Sequence, residues 1–211
     1  MASGLDLGKL FGAVTEQLSQ NKEDLNKADD YNHNHGDNMV EIFSLIKDSV
    51  SKKKDKTVSE QLEYASQVVG EKVNSGSAKL YAKGLSGAAE NLAGDDLNPS
   101  NVLSLVKGLF GANETKTEEA AEKKQGGFLG SLLGGLLGQS SSSEEDQGIG
   151  LDELLRAGME FYQSKQEGED TSKALIDALL AASPLGKSAY RSQSGSIVAS
   201  TIMDFAKSFM N

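Results

Sequence analysis

Residues 32–50 read NHNHGDNMVEIFSLIKDSV. In the second half of this stretch Met39, Ile42, Phe43, Ile46 and Val50 recur at the spacing of a single α-helical face. The first half is polar and holds both of the chain's histidines, His33 and His35, beside Gly36. A helix N-terminus leaves backbone N–H groups free and carries the positive end of the helix dipole. Ligand-capable side chains placed there suit an anion or a metal ion. The same Asn and Asp residues also suit an ordinary turn and a helix cap.

The helical period continues outward in both directions. Leu7, Leu10, Phe11, Val14 and Leu18 form an earlier stripe. Thr57 and Glu60 have capping-box spacing ahead of Val58, Leu62, Ala65 and Val69. Tyr81, Leu85, Ala88, Ala89 and Leu92 share a face of a helix over 78–92, with Leu80 beside it. Asn98-Pro99 reads as N-cap and first residue of a helix carrying Val102, Leu103, Val106 and Leu109. Three further helices are expected over 151–164, 171–182 and 196–209. No alternating strand pattern occurs. The expectation is an all-α bundle or barrel of about seven or eight antiparallel helices.

Composition narrows the function classes. A net charge of −10 over 211 residues argues against nucleic-acid binding, which needs clustered Lys and Arg. Lys52, Lys53, Lys54 and Lys56 form a short basic run that Asp55 interrupts, which reads as solvated loop. The chain has no cysteine, so disulfides, thiolate nucleophiles and Cys-ligated zinc are excluded. His33 and His35 lie two apart, which matches no zinc signature. Asp6 and Lys9 break any signal-peptide pattern, and a cytoplasmic location is expected.

Residues 1–112 and 148–211 are expected to form one helical domain. Between them, 113–147 is rich in Glu, Lys, Ser and Gly and reads as a low-complexity insertion. Within it, 126–138 (GGFLGSLLGGLLG) is an uncharged Gly/Leu segment with helical spacing, too short to span a bilayer. It can pack on the bundle as an extra helix, or dock on a membrane surface or a partner. The lack of Lys and Arg on a polar face weakens the membrane reading.

Asn32 and Asn34, with Asp29, Asp30 and Asp37, can supply oxygen ligands of the kind magnesium takes. Asp37 also suits the first turn of a helix as a favourable charge. A second polar segment, Asn74-Ser75-Gly76-Ser77, precedes the 78–92 helix. A third, 186–195, contains Arg191, which can pair with a phosphate or with a surface carboxylate. All three segments stand at expected helix starts. Helix ends converging at one rim of a bundle suit a polyphosphate.

The order of these elements resembles the nucleotide-binding domain of dihydroxyacetone kinases, also found in the fatty-acid kinase family. That family carries Gly-Asp-x-Asp-His-Gly-x-Asn-Met before a helix. His35, Gly36, Asn38 and Met39 match this pattern, while Asn32 and Asn34 stand where it has aspartates. Ser75, Gly76 and Ser77, followed by Leu80-Tyr81, resemble its Gly-Gly-x-Ser-Gly-x-Leu-Tyr segment. Arg191-Ser192-Gln193-Ser194-Gly195 is similar to its late Arg-Ser-x-Gly loop.

The resemblance implies an ATP site bound through His35, Gly36, Asn38, Met39, Ser75, Gly76, Ser77 and Arg191. It implies magnesium near Asn32, Asn34, Asp30 and Asp37, and an acceptor substrate held by a partner chain or domain. With two carboxylates replaced by amides, the expected function is a degenerate nucleotide-, phosphate- or partner-binding domain. One alternative is a working magnesium-dependent kinase component. Another is a scaffold docking on lipid or protein through 126–138.

Overall fold

The computed structural model describes residues 4–111 and 171–209. The helix expected over 151–164 and the 126–138 segment lie outside these residues. The described residues form eight α-helices and no strand, so the fold is all-α. None of these helices is long and apolar enough to cross a membrane.

Helix α1, Leu7–Gln20, is capped by Asp6, whose side chain accepts from the Lys9 N–H at 2.8 Å. Its buried residues are Leu7, Leu10, Phe11, Val14 and Leu18, the stripe read from the sequence. Helix α2, Lys22–Ala28, follows at once and was not expected. It buries only Leu25, and a single apolar residue leaves no period to read. Helix α3 runs His35–Lys52 and α4 Val58–Lys72. The expected capping box opens α4: Glu60 N–H donates to Thr57 Oγ1 at 3.2 Å, and Thr57 N–H donates to Glu60 Oε2 at 3.0 Å. Helix α5, Gly76–Asn91, is capped by Ser75, whose hydroxyl accepts from the Ala78 N–H.

Two expected boundaries are corrected. Helix α6 spans Val102–Leu109, and Asn98-Pro99 lies in the turn before it. Asn98 Oδ1 accepts from the N–H groups of Ser100 and Asn101, while Asn101 Oδ1 accepts from the Asn98 N–H. These side chains close a turn of their own, which displaces the helix start by about one turn. After α7, Thr171–Ala182, and a short 3-10 helix, Pro184–Lys187, helix α8 spans Ala189–Lys207. It starts seven residues before the expected 196, so Arg191–Gly195 are helical. The small polar residues of that first stretch hid it, because the apolar spacing only begins at Ile197 and Val198.

One core joins these helices. Phe11 of α1, Phe43 of α3 and Tyr81 of α5 follow in a row, the first pair tilted and the second edge-to-face, with ring centroids 6.2 and 5.0 Å apart. Around them α1 packs on α3 and α8, α3 on α2 and α4, and α5 on α4 and α6. The α5–α6 crossing brings backbone against backbone. A Cβ on Gly84 would meet the Leu109 carbonyl, and one on Gly108 would meet the Ala88 main chain. The core holds one flaw: the Tyr81 hydroxyl is buried without a hydrogen-bond partner.

Opposite stability effects follow at α5. Gly108→Ala forces the helices apart and should cost at least about 1–3 kcal/mol. Tyr81→Phe removes an unpaired buried hydroxyl and should be neutral or stabilising by roughly 1 kcal/mol. Urea denaturation of the two variants beside the wild type measures both. A lower midpoint for Tyr81→Phe would mean that the hydroxyl has a partner.

Candidate functional site

The starts of α3, α5 and α8 meet at one end of the bundle and enclose a cleft of about 380 Å³. Its lining draws on each of the three polar segments. Asp29, Tyr31, Asn32, Asn34, His35 and Asn38 come from the α2–α3 turn and the first turn of α3. Asn74, Ser75, Gly76 and Ser77 come from the start of α5, and Tyr190 and Arg191 from the first turn of α8.

The α2–α3 turn is built around a buried carboxylate. Asp29 accepts from the backbone N–H of Tyr31 at 3.2 Å and of Asn34 at 3.4 Å. Between them His33 takes a left-handed conformation, with φ 54°. Asn34 Oδ1 accepts from Asn38 Nδ2 at 2.7 Å, which ties the turn to the first helical turn of α3.

Behind this turn α2 holds the α3 terminus. Asn26 Oδ1 accepts from the N–H groups of Gly36 at 2.7 Å and Asp37 at 3.2 Å. Asn26 Nδ2 donates to Asp37 Oδ2 at 2.8 Å. Lys22 completes the contact with an ion pair to Asp37 at 3.2 Å. The Asn26 hydrogen bond, followed by Lys22, holds the Asp37 carboxyl below its usual range. Gly36 is glycine for a steric reason: a Cβ there would run into the Lys22 carbonyl.

This geometry revises several expected roles. Gly36 does not line the cleft, and its N–H is spent on Asn26. Met39 is fully buried in the core. Asp30 is exposed outside the cleft lining, and Asp37 faces Lys22 and Asn26. The structure does bring His35, Asn38, Ser75, Gly76, Ser77 and Arg191 together, with Asn32 and Asn34 beside them. Asn26 escaped sequence reading because it sits on the unrecognised α2. Tyr190 and Ser194 escaped because their segment was read as loop.

His35 forms the floor of the cleft. It is buried, its Nε2 shares a 2.9 Å hydrogen bond with Ser194 Oγ, and Tyr190 meets its ring edge-on at 4.7 Å. Burial pushes its pKa down to about 4; the Asp29 carboxylate opposes this shift and Arg191 adds to it. His35 is therefore neutral at pH 7 and joins α3 to α8 as an uncharged hydrogen-bonding group.

The donor set in the cleft was tested against magnesium. Among the described residues of the lining Asp29 is the only carboxylate, and its oxygens already accept two backbone N–H groups. The other oxygen donors are neutral amides and hydroxyls. Among the described residues no group of three or more His, Cys, Asp or Glu is placed to hold a metal ion. The described lining thus offers one carboxylate, whereas magnesium is usually held by carboxylates together with phosphate oxygens.

The His35 shift has a pH signature. The unfolded chain takes up a proton near pH 6.5, whereas the folded state resists until about pH 4. Stability contributed by neutral His35 is thus complete above pH 6.5 and is lost as pH falls toward 4. Urea midpoints measured from pH 7 to pH 4 should fall less steeply for His35→Gln than for the wild type. Parallel curves would show that His35 is not protected from protonation. As for relatives, no family model, curated protein or solved structure matches this chain.

Proposed function

We propose that the cleft binds the phosphate of a small ligand, and that it does so without a metal ion. The observation that carries this reading is Arg191. It occupies the third position of α8, inside the positive end of that helix. Its guanidinium also lies over Gly76, the first residue of α5, where a Cβ would come within 2.7 Å of Nη2. Among the described residues no carboxylate lies within ion-pair distance of it, and its Nε is buried without a hydrogen-bond partner. A cation set against two positive helix ends, partly desolvated and unpaired, is unfavourable unless an anion joins it.

Donors for such an anion are at hand. The N–H groups of Gly76 and Ser77 open α5 and have no intrahelical acceptor. The Arg191 fork matches phosphate oxygens in a bidentate manner. A nucleotide is the phosphate ligand that the dihydroxyacetone-kinase resemblance implies. Charge neutralisation then falls to Arg191 and the helix ends, in place of the two carboxylate-held metal ions of that family. Binding, rather than phosphoryl transfer, is the function this donor set supports.

Calorimetric titration with ADP and with pyrophosphate, in EDTA and in magnesium, tests the reading. We expect binding in EDTA that weakens with added salt. Arg191→Gln should reduce affinity by at least about tenfold, the loss expected for a charged hydrogen-bonding group. The unliganded variant should melt no lower than the wild type, because no partner is orphaned. Absence of heat and of any melting shift with both ligands would overturn the proposal. Binding only in magnesium would restore the metal-dependent kinase reading.

A further inference from the structure

Tyr31 stands at the edge of the cleft and is 90% exposed, whereas the next large exposed apolar residue among the described residues, Phe209, is 49% exposed. Among the described residues its ring has no aromatic neighbour and its hydroxyl no hydrogen-bond partner. Its backbone, in contrast, is held. The Tyr31 N–H donates to Asp29, and the following residues are pinned through Asn34 to the same buried carboxylate. A hydrogen-bonded main chain therefore carries an uncovered aromatic face into the same cleft that Arg191 lines.

The other tyrosine of the cleft is used differently. Tyr190 is half-buried, with its ring against His35 and the Arg191 guanidinium 5.4 Å from its centroid. It supports the floor and the cation, so its ring already has partners within the protein. Among the described residues of the lining Tyr31 alone offers a free π-face. A π-face and a phosphate-type cation in one cleft match a ligand with a planar ring at one end and a phosphate at the other.

From this juxtaposition we infer that Tyr31 is a stacking platform that selects phosphate esters bearing an aromatic ring over phosphates that lack one. The inference rests on the phosphate-binding reading above and adds a residue that determines ligand class. The anion is held at Arg191 and the α5 start, and the ring lies on Tyr31 at the entrance. Removing the ring of Tyr31 costs affinity only when the ligand has a ring to stack.

The experiment compares AMP with ribose 5-phosphate in EDTA on the full chain, since the two differ at C1, which carries the base in one and a hydroxyl in the other. Wild type should bind AMP roughly tenfold more tightly, within the range of single base–aromatic stacks. Tyr31→Ala should erase that advantage and leave ribose 5-phosphate unchanged. Tyr31→Phe should keep it, because the ring and not the hydroxyl makes the contact. An unchanged melting temperature in both variants is expected for so exposed a side chain. Equal affinity for the two ligands in the wild type would overturn the Tyr31 inference while leaving phosphate binding intact. So would an AMP advantage that survives Tyr31→Ala or is lost in Tyr31→Phe. If neither ligand binds, while Arg191→Gln also behaves as wild type, both readings fall together.

Discussion

The close approach of α2 to the first turn of α3 is the contact on which this end of the molecule depends. Gly36 lets the Lys22 carbonyl sit where any side chain would stand. That approach places the Asn26 amide within reach of two N–H groups at the start of α3 and of the Asp37 carboxylate. Once α2 is seated, residues 29–34 must turn tightly to reach His35. Asp29 folds inward to bind that turn, and His35 is carried under α8, where it meets Ser194 and Tyr190. The cleft is thus a consequence of a helix–helix contact behind it.

The charges at this end are divided by that contact. Asp37 and Lys22 neutralise each other on the α2 side, away from the cleft. Asp29 is occupied with backbone donors. His35 is neutral because its surroundings exclude water. Among the described residues of the cleft lining, Arg191 has no ion-pair partner; it stands at two positive helix ends with part of its guanidinium group desolvated. The lining therefore combines closed polar networks, which fix its shape, with a cation that they leave uncompensated. That asymmetry separates scaffolding residues from a residue available to a ligand, a distinction that the residue types alone do not make.

Much of the fold was legible because its cause is local. The buried faces of α1, α3, α4 and α5 follow the helical period of their own apolar residues, and the Thr57–Glu60 box marks its helix start. Where the period was absent, reading failed. Helix α2 has one buried residue, and the first two turns of α8 read Ala-Tyr-Arg-Ser-Gln-Ser-Gly, with no apolar period. Both are helical because neighbouring elements cover them, as Gly195 shows by packing on Leu180. At Asn98-Pro99 a plausible cap was overruled by side-chain hydrogen bonds that close a turn instead.

By itself the sequence determined an all-α chain and three polar segments at or near helix starts, since hydrophobic period and capping chemistry act over a few residues. The cleft's lining was decided by tertiary structure. Which of those polar residues face one another depends on how far each helix is rotated and how closely its neighbour approaches. Gly36, Met39 and Asp37 belong to the same motif as His35 and Asn38, yet packing turns the first three toward α2 and the core and the other two toward the cleft. In the sequence Arg191 suited a phosphate and a surface carboxylate equally. Only the folded arrangement surrounds it with positive helix ends and leaves it without a carboxylate among the described residues, because no local rule links residue 191 to residue 76.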